Sequence, residues 1–380
     1  MMKLALLGFG VVGKGVYDEV QKRTDMEVAK VLVRREIEEI AHIAVRDMAD
    51  IAGDPTIDTV VEVMGGLHPA YEYICAALNA GKHVVTANKA VISAYYGELT
   101  ELAKKNGVAL RCTAAVGGGI PWLVNLERCC RLDTVTEVSG IMNGTTNYIM
   151  DAMHNSPVSF DMILEKAQEL GYAEADPSAD IDGDDIRRKL TISANIAFGA
   201  QLKEEDIPMF GIRTVTDGDI AAFQSRGYVC KLIATAKRTE QGVAAWLEPT
   251  LVDAHALEAA VPQNYNLISF QSEYLGRQSY CGQGAGRYPT ASNVVQDCLD
   301  IADGKRSFYT DDAQLMLPNN RAVIQPYYVR TNKADTWLEV ITADKLGDGV
   351  ITIPVSTAQM LSWAQAQLTR DPSAFIAAIR

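Results

Sequence analysis

The stretch "AEADPSADIDGDDIRRKL" (residues 173–190) holds the densest group of reactive side chains in the sequence. It places six carboxylates within twelve positions and then three bases. A calcium loop, a site for a charged amino acid and a solvated surface are the three interpretations. If Gly183 is the glycine at position 6 of a calcium-binding loop, Lys189 falls at position 12, where a bidentate glutamate is needed. The calcium interpretation is therefore excluded.

Asp185 and Lys189 are four residues apart in a segment, 185–199, whose pattern predicts a helix, so both lie on one helix face. On the residues alone, an exposed salt bridge remains the simpler interpretation of this pair. Lys89 ends the segment "TANK" after a predicted strand, at the sheet edge where open α/β folds bind ligands. A lysine ammonium can stabilise an oxyanion and exchange a proton, so both lysines are candidates for acid–base chemistry.

Gly8, Gly10 and Gly13 form the pattern G-x-G-x-x-G between a predicted first strand and a predicted helix. This pattern permits a tight turn, a close approach of the backbone to a pyrophosphate, and close packing of the helix. The second predicted strand ends in Arg34 and Arg35, followed by Glu36. Bases at this place favour NADP, whereas an acid would favour NAD, and a shift of one residue in the strand end would reverse the choice.

Elements that could position these residues follow two patterns. Up to about residue 132, apolar strands alternate with helices, which predicts an α/β fold with a doubly wound parallel sheet. Beyond it, the pattern predicts a second α+β domain with a more antiparallel sheet. Near the C-terminus, "VIQPYYVRT", "TWLEVIT" and "GVITIPV" are predicted strands, and "TAQMLSWAQAQL" is a predicted helix.

Composition excludes several classes of protein. The chain has 380 residues, 48% hydrophobic and 22% charged, which is typical of a globular protein large enough for two domains. A net charge of −13 argues against nucleic-acid binding. No apolar run is long enough to span a membrane, and the N-terminal apolar run leads into spaced glycines, which predicts a strand rather than a signal peptide. Seven scattered cysteines without metal spacing indicate free thiols in a reducing cytoplasm.

Five motifs in order resemble the homoserine dehydrogenase family. They are "VEVMGG", "GKHVVTANKA", "GIMNGTTNYI", "GYAEADPSADIDGDD" with Lys189, and "GQGAGRYPTAS". The resemblance implies interconversion of L-homoserine and L-aspartate 4-semialdehyde with NADP or NAD, in the biosynthesis of threonine, methionine and isoleucine. It also implies a discontinuous dinucleotide-binding domain, formed by residues 1–132 and 287–318. A substrate and dimerisation domain (133–286) lies between these two segments in the sequence.

Roles for individual residues follow from this resemblance. Lys189, Lys89 and Asp185 would be catalytic. An acidic pocket for the substrate's ammonium group, completed by amide and hydroxyl donors, would consist of Glu174, Asp180, Asp185, Tyr172, Asn143, Gly144 and Thr145. The cofactor would be bound by Gly8, Gly10, Val11, Val12, Gly13, Arg34, Arg35, Gly65, Asn88, Lys89 and Gly284.

Two features depart from the family pattern. Relatives usually carry an acid three residues before the valine of "VGGGIP", which helps to bind a monovalent cation such as Na⁺. This sequence has Thr113 there, whose hydroxyl can bind sodium but brings no charge, and the Val116, Gly118 and Ile120 carbonyls are the other expected ligands. Residues 319–380 are short for the regulatory ACT domain that many relatives append. They are interpreted as a C-terminal extension, a degenerate remnant of that domain, and feedback inhibition by threonine is not expected.

Other functions remain open at this stage. One is a dehydrogenase of the same architecture that acts on another small amino or hydroxy acid, and the other is a non-catalytic sensor of dinucleotides. The antiparallel second domain would leave sheet edges that need cover, which favours a homodimer or a higher homo-oligomer.

Overall fold

The computed structural model describes residues 1–240, 242–305, 308, 316 and 318–380. The chain forms two compact units. Unit 1 comprises Met1–Leu132 and Gln283–Gln314, and unit 2 comprises Asp133–Gly282 and Leu315–Arg380. The chain thus returns from unit 2 to unit 1 between residues 282 and 283. This is four residues before the predicted start of the returning segment at residue 287. Residues 306, 307, 309–315 and 317 of the predicted segment 287–318 lie outside the described residues.

Unit 1 is built on a six-stranded parallel sheet of order β3-β2-β1-β4-β5-β6, the order typical of dinucleotide-binding folds. Five of its strands were predicted, and β3 was not. Numbered along the whole chain, its strands are β1 (Met2–Leu7), β2 (Met26–Leu32), β3 (Ala44–Val45), β4 (Thr59–Glu62), β5 (His83–Thr86) and β6 (Leu110–Arg111).

The helices of unit 1 pack on an apolar sheet. β-Branched and leucine residues of β1, β2, β4 and β5 are buried, as expected for a parallel sheet covered on both faces. Gly15 lets two helices approach closely, since a Cβ there would lie 2.9 Å from the Arg287 carbonyl oxygen and 3.0 Å from the Ala291 Cβ. The helices are α1 (Val11–Val20), α2 (Ala49–Ala52), α3 (Ala70–Asn79), α4 (Lys89–Asn106), α5 (Trp122–Cys130) and α11 (Arg287–Ala302).

Unit 2 contains a nine-stranded mixed sheet of order β11-β10-β7-β8-β9-β17-β13-β15-β14. The neighbours β10, β7, β8 and β9 pair antiparallel, as predicted, whereas β17 joins β9 in parallel. The strand β10 was missed in the sequence. The bounds are β7 (Val135–Ile141), β8 (Tyr228–Thr239), β9 (Gly242–Asp253), β10 (Tyr265–Ser272) and β11 (Gly276–Gln283), with helices α6 (Gly144–Asn155), α7 (Phe160–Glu169), α8 (Ser178–Ile181), α9 (Asp184–Phe198) and α10 (Asp217–Ser225).

The C-terminal residues extend this sheet. In chain order they run β13, α12, β14, β15, β16, α13 and β17, and β16 pairs with β12 in a separate two-stranded sheet. The predicted strand "TWLEVIT" is wrong: it forms α12, because Asp335 caps a helix there by accepting from the Leu338 N–H at 3.0 Å. The bounds are β12 (Ile324–Gln325), β13 (Tyr327–Arg330), α12 (Thr336–Ile341), β14 (Thr342–Leu346), β15 (Gly349–Thr352), β16 (Val355–Ser356), α13 (Thr357–Arg370) and β17 (Phe375–Ile379).

Among the described residues, every helix is too short or too polar to cross a membrane.

Candidate active site

The turn between β1 and α1 has the geometry of a dinucleotide cradle. Gly8 has φ +101°, which favours glycine, and a Cβ at Gly13 would collide with the Gly8 carbonyl oxygen. At Gly10, by contrast, a Cβ would meet no protein atom within 4 Å. Packing within the chain therefore explains two of the glycines but not the third. Close approach of a ligand explains the third, and a pyrophosphate fits it.

The first turn of α1 provides the donors for such an anion. Gly10 is the N-cap residue, and no side chain caps the helix there. The amides of Val11 and Val12 belong to the first turn, whose N–H groups have no partner within a helix. Since this turn carries no acid, its positive end of the helix dipole is not neutralised by a side chain.

Three arginines surround the end of β2. Arg34 and Arg35 are exposed, as is Glu36. Arg46 holds this turn, because its Nη1 donates to the carbonyls of Val33 and Arg35, each at 2.7 Å. Sequence reasoning missed Arg46, which lies just after the overlooked strand β3. The turn is thus positively charged where an adenosine ribose is expected.

A buried acid organises the carboxyl ends of β4 and β5. Glu62 accepts hydrogen bonds from the Thr86 hydroxyl at 2.6 Å, the Met64 N–H at 2.8 Å and the Asn88 amide at 3.4 Å. Burial raises its pKa above the ordinary value. Asn88 also donates to the Gly66 carbonyl at 2.7 Å and caps α4, where Lys89 is the first residue.

Glu62 was not predicted as a site residue, although an acid between valines of a buried strand is an unusual signal. Its contacts fix the predicted cofactor residue Asn88 and the loop that contains Gly65, whose φ is +74°.

The expected cation ligands belong to a loop that follows β6. The Thr113 hydroxyl donates to Asp297 Oδ1 at 2.7 Å. The Gly118 and Ile120 carbonyls accept hydrogen bonds from the Asn293 side-chain amide, at 2.5 and 3.1 Å. These oxygen ligands do not fit a monovalent cation, because the Asn293 amide already donates to two of the three expected carbonyl oxygens. Gly284, a predicted cofactor residue, contacts this loop: a Cβ on Gly118 would lie 2.6 Å from its carbonyl.

In unit 2, Lys189 lies in a buried polar cluster rather than an exposed salt bridge. Its Nζ donates to Asp185 Oδ2 at 2.8 Å and to the Met142 carbonyl at 2.6 Å. The relative exposure of Lys189 is 7% and that of Asp185 is 6%. Asn143 extends the cluster, donating to Asp185 at 2.9 Å and to Asp180 at 2.7 Å. The structure thus brings together four predicted site residues and the Met142 carbonyl, which was not predicted.

Helix α6 fixes the position of Asn143. The side chain caps this helix by accepting from the Thr146 N–H at 2.9 Å, so "NGTTN" is a helix start rather than a simple polar turn. Gly144 begins the helix close to the Asn264 carbonyl, and the Thr145 hydroxyl donates to the Tyr172 carbonyl at 2.6 Å.

Tyr172 and Glu174 stand apart from the buried cluster. The Tyr172 side chain packs edge-on against Tyr148, and Tyr172 is 39% exposed. Glu174 is exposed, and its carbonyl accepts from Gln168 at 3.0 Å. Both predicted site residues are therefore more accessible than the buried cluster.

The remaining acids of the 173–190 stretch make local contacts. Asp182 pairs with Arg213 at 2.6 Å and Asp184 pairs with Arg187 at 2.6 Å, both half-buried. Asp176 is exposed and accepts from the Ser178 N–H at 3.1 Å. These acids stabilise the turn that leads into α9.

Comparisons with known proteins find relatives that match most of the chain. The homoserine dehydrogenase family model matches residues 121–299, and the model for the NAD-binding domain of homoserine dehydrogenase matches residues 8–113. The homoserine dehydrogenase of Bacillus subtilis (strain 168) is 36% identical over 319 residues, which cover 80% of this chain and 74% of that protein. The homoserine dehydrogenase of Lactococcus lactis subsp. lactis (strain IL1403) is 36% identical over 386 residues, 96% of this chain and 88% of that one.

Among solved structures, the crystal structure of a homoserine dehydrogenase from Thiobacillus denitrificans superimposes with a TM-score of 0.86 at 30% identity. The match covers 100% of this chain and 98% of that one. This agreement along nearly the full length, together with the glycine turn and the buried lysine cluster, identifies the class of protein. The chain belongs to the homoserine dehydrogenase family, NAD(P)-dependent oxidoreductases that act on the CH–OH group of a small molecule.

Proposed function

We propose that the Lys189 cluster binds L-homoserine and moves the proton of its hydroxyl group. The observation that carries this proposal is the buried contact of Lys189 Nζ with Asp185 at 2.8 Å, in a cluster that Asn143 joins to Asp180. A bound nicotinamide dinucleotide supplies the hydride acceptor or donor. Lys189 holds the substrate oxygen and exchanges its proton in either direction.

The fixed direction of the Lys189 ammonium supports this role. Asp185 lies one helical turn before it on α9, and the Met142 carbonyl lies at the end of β7, so two separate elements orient Nζ. Orientation of this kind lowers the cost of arranging donors around a developing charge. A lysine on a solvated face would have no such restraint.

The acids of the cluster would recognise the substrate's α-ammonium group. Asp180 and Asp185 both accept from the Asn143 amide, which holds the two carboxylates in one place. In this proposal, these two acids and Glu174 bind the ammonium group. The hydroxyl of Tyr172 and the start of α6 at Gly144 and Thr145 would complete the contacts.

We assign the cofactor to unit 1, with its pyrophosphate at Gly8, Gly10, Val11, Val12 and Gly13. Asn88, Gly65 and Gly284 would contact other parts of the dinucleotide. The exposed Arg34 and Arg35 support a preference for NADP over NAD, because they can pair with a 2′-phosphate. Lys89, the first residue of α4, is the second lysine to which we assign a role in proton transfer.

Further proposals concern the assembly and the C-terminal residues. The edge strand β11 supports a homodimer, because many of its side chains are exposed. The seven free thiols support a reducing compartment, the cytoplasm. For residues 319–380 we propose a structural role, in which β17 covers the edge of β9 and Arg330 pairs with Asp219 at 2.7 Å.

A comparison of L-homoserine with 4-hydroxybutyrate tests the recognition of the ammonium group. The two molecules share the hydroxyl and the carboxylate, so only the α-ammonium differs. We expect kcat/KM for 4-hydroxybutyrate to be lower by at least about 100-fold, because the acids would lose their partner. The same assay with NADP⁺ and NAD⁺ tests the cofactor preference.

The variant Asp180→Asn should reduce this discrimination, and the exposed change Asp161→Asn serves as its control. Equal kcat/KM values for both substrates in the unmodified enzyme would contradict the proposed role of the acids. A clear preference for NAD⁺ would contradict the role of Arg34 and Arg35 and leave the substrate assignment intact.

A further inference from the structure

We propose that the Asn293 side-chain amide takes the place of a monovalent cation in the loop 113–120, so that this enzyme needs no such cation. Resemblance to the family implies a cation held by the Val116, Gly118 and Ile120 carbonyls. The contacts of this loop show instead a neutral donor from α11 at two of these three oxygens.

Asn293 bridges two of the expected ligands. Its Nδ2 donates to the Gly118 carbonyl at 2.5 Å and to the Ile120 carbonyl at 3.1 Å, and the residue is 7% exposed. An amide NH₂ group carries two N–H donors, so one group can serve both oxygens. A small cation would serve the same purpose, that is, to draw carbonyl dipoles of one loop towards a common point.

The Ile120 carbonyl has no capacity left for a metal. It also accepts from the Trp122 N–H at 2.7 Å, and a carbonyl oxygen has two lone pairs. A cation at this oxygen would have to displace either the main-chain bond or the Asn293 amide. The exchange would leave a buried donor without an acceptor, which is unfavourable.

The negative charge nearest to Thr113 is already balanced. Asp297 accepts from the Thr113 hydroxyl at 2.7 Å and from its N–H at 2.8 Å. The same buried carboxylate pairs with Arg111 at 3.0 Å, and Asp300, which shares this arginine, also pairs with Lys305 at 2.8 Å. A second positive ion would therefore find no uncompensated charge at Thr113, where relatives carry an acid.

This bridge positions a segment that the proposed function assigns to the cofactor. Gly118 has φ +55° and contacts the backbone of Gly284 so closely that a Cβ there would lie 2.6 Å from it. The Gly119 N–H donates to the Gln283 carbonyl at 3.2 Å. Asn293 is thus a positioning residue, and its loss should raise KM for the dinucleotide more than it lowers kcat.

Thermal unfolding in chloride salts of sodium, potassium and tetramethylammonium, at equal ionic strength, tests the inference without relying on turnover. The unmodified enzyme should show the same Tm and the same KM for its cofactor in all three. The variant Asn293→Asp should gain a higher Tm in sodium than in tetramethylammonium, by roughly 2–4 °C. Its carboxylate would repel the Gly118 and Ile120 carbonyls unless a cation lies between them.

Asn106→Asp is the matched control. Asn106 also donates from its amide to a main-chain carbonyl, that of Leu102 at 3.1 Å, but at the end of α4. The Tm of the Asn106→Asp variant should not depend on the cation.

A sodium-dependent Tm or cofactor KM in the unmodified enzyme would overturn the inference, as would an Asn293→Asp protein that responds to sodium no more than Asn106→Asp. If Asn293→Asp does not fold, Asn293→Ser replaces it. This variant lacks the amide and should show a raised cofactor KM, and an unchanged KM would overturn the positioning role. None of these outcomes depends on the role of Lys189.

Discussion

At the scale of single residues, burial distinguishes one acid–lysine pair from an ordinary surface ion pair. Asp185 and Lys189 have the spacing of a surface ion pair, yet both lie within a cluster with little exposure. Burial of an ion pair is costly unless further hydrogen bonds compensate it. The Asn143 amide and the Met142 carbonyl provide that compensation. A site that must hold a charged substrate is a physical reason to keep such a cluster.

The glycines of the first turn give a prediction at this scale. Gly10→Ala should leave folding nearly intact, because its Cβ meets no protein atom, but it should raise KM for the dinucleotide by obstructing the pyrophosphate. Gly13→Ala should instead destabilise the protein by about 1–3 kcal/mol, because its Cβ collides with the Gly8 carbonyl.

Thermal unfolding and cofactor titration of the two variants separate these effects. An unchanged cofactor KM in Gly10→Ala would argue that no ligand approaches this glycine.

At the scale of elements, a few helix starts position the candidate site. Asn143 caps α6 and holds Asp180 and Asp185, while Asn88 caps α4 and bonds to Glu62. In both places one side chain ends a strand-to-helix turn and orients an acid. Each of these two asparagines thus contributes both to local structure and to the geometry of the site.

The sequence predicts these elements unevenly, for physical reasons. The parallel sheet of unit 1 follows from apolar strands that alternate with helices, and the role of Gly13 follows from its spacing. The contact of Lys189 with the Met142 carbonyl does not follow from the sequence, because Met142 lies 47 residues away and acts through its main chain. The segment 336–341 has the residues of a strand, but the cap at Asp335 makes it a helix. Asn293 lies far in sequence from the carbonyls it bridges, so its contact could not be predicted without the structure.

At the scale of the whole molecule, a buried acid links the C-terminal segment to the sheet of unit 2. Glu248 on β9 accepts from Trp246 at 2.8 Å, Gln325 at 2.6 Å and Tyr327 at 3.3 Å. Burial raises its pKa from the ordinary 4.5 to about 7. Glu248 therefore loses its proton at a lower pH in the unfolded chain than in the folded protein. As the pH rises from 4.5 to 7, this difference progressively lowers the stability of the fold.

The variant Glu248→Gln removes this dependence. The difference in free energy of unfolding between variant and unmodified enzyme should increase with pH between 5 and 7, by at most about 1.4 kcal/mol per pH unit. Urea unfolding at several pH values measures it, with the exposed change Glu273→Gln as control. A difference that does not vary with pH would show that Glu248 ionises normally in the folded protein.

The turnover of L-homoserine by Lys189→Met tests the central claim most directly. Methionine keeps the buried stem but removes the ammonium group, and the Tm of the variant verifies that it folds. We expect kcat to fall by about 10²–10⁴-fold, while the exposed change Lys166→Met keeps the rate of the unmodified enzyme. A folded Lys189→Met enzyme with nearly full kcat would contradict the assignment of proton transfer to this lysine.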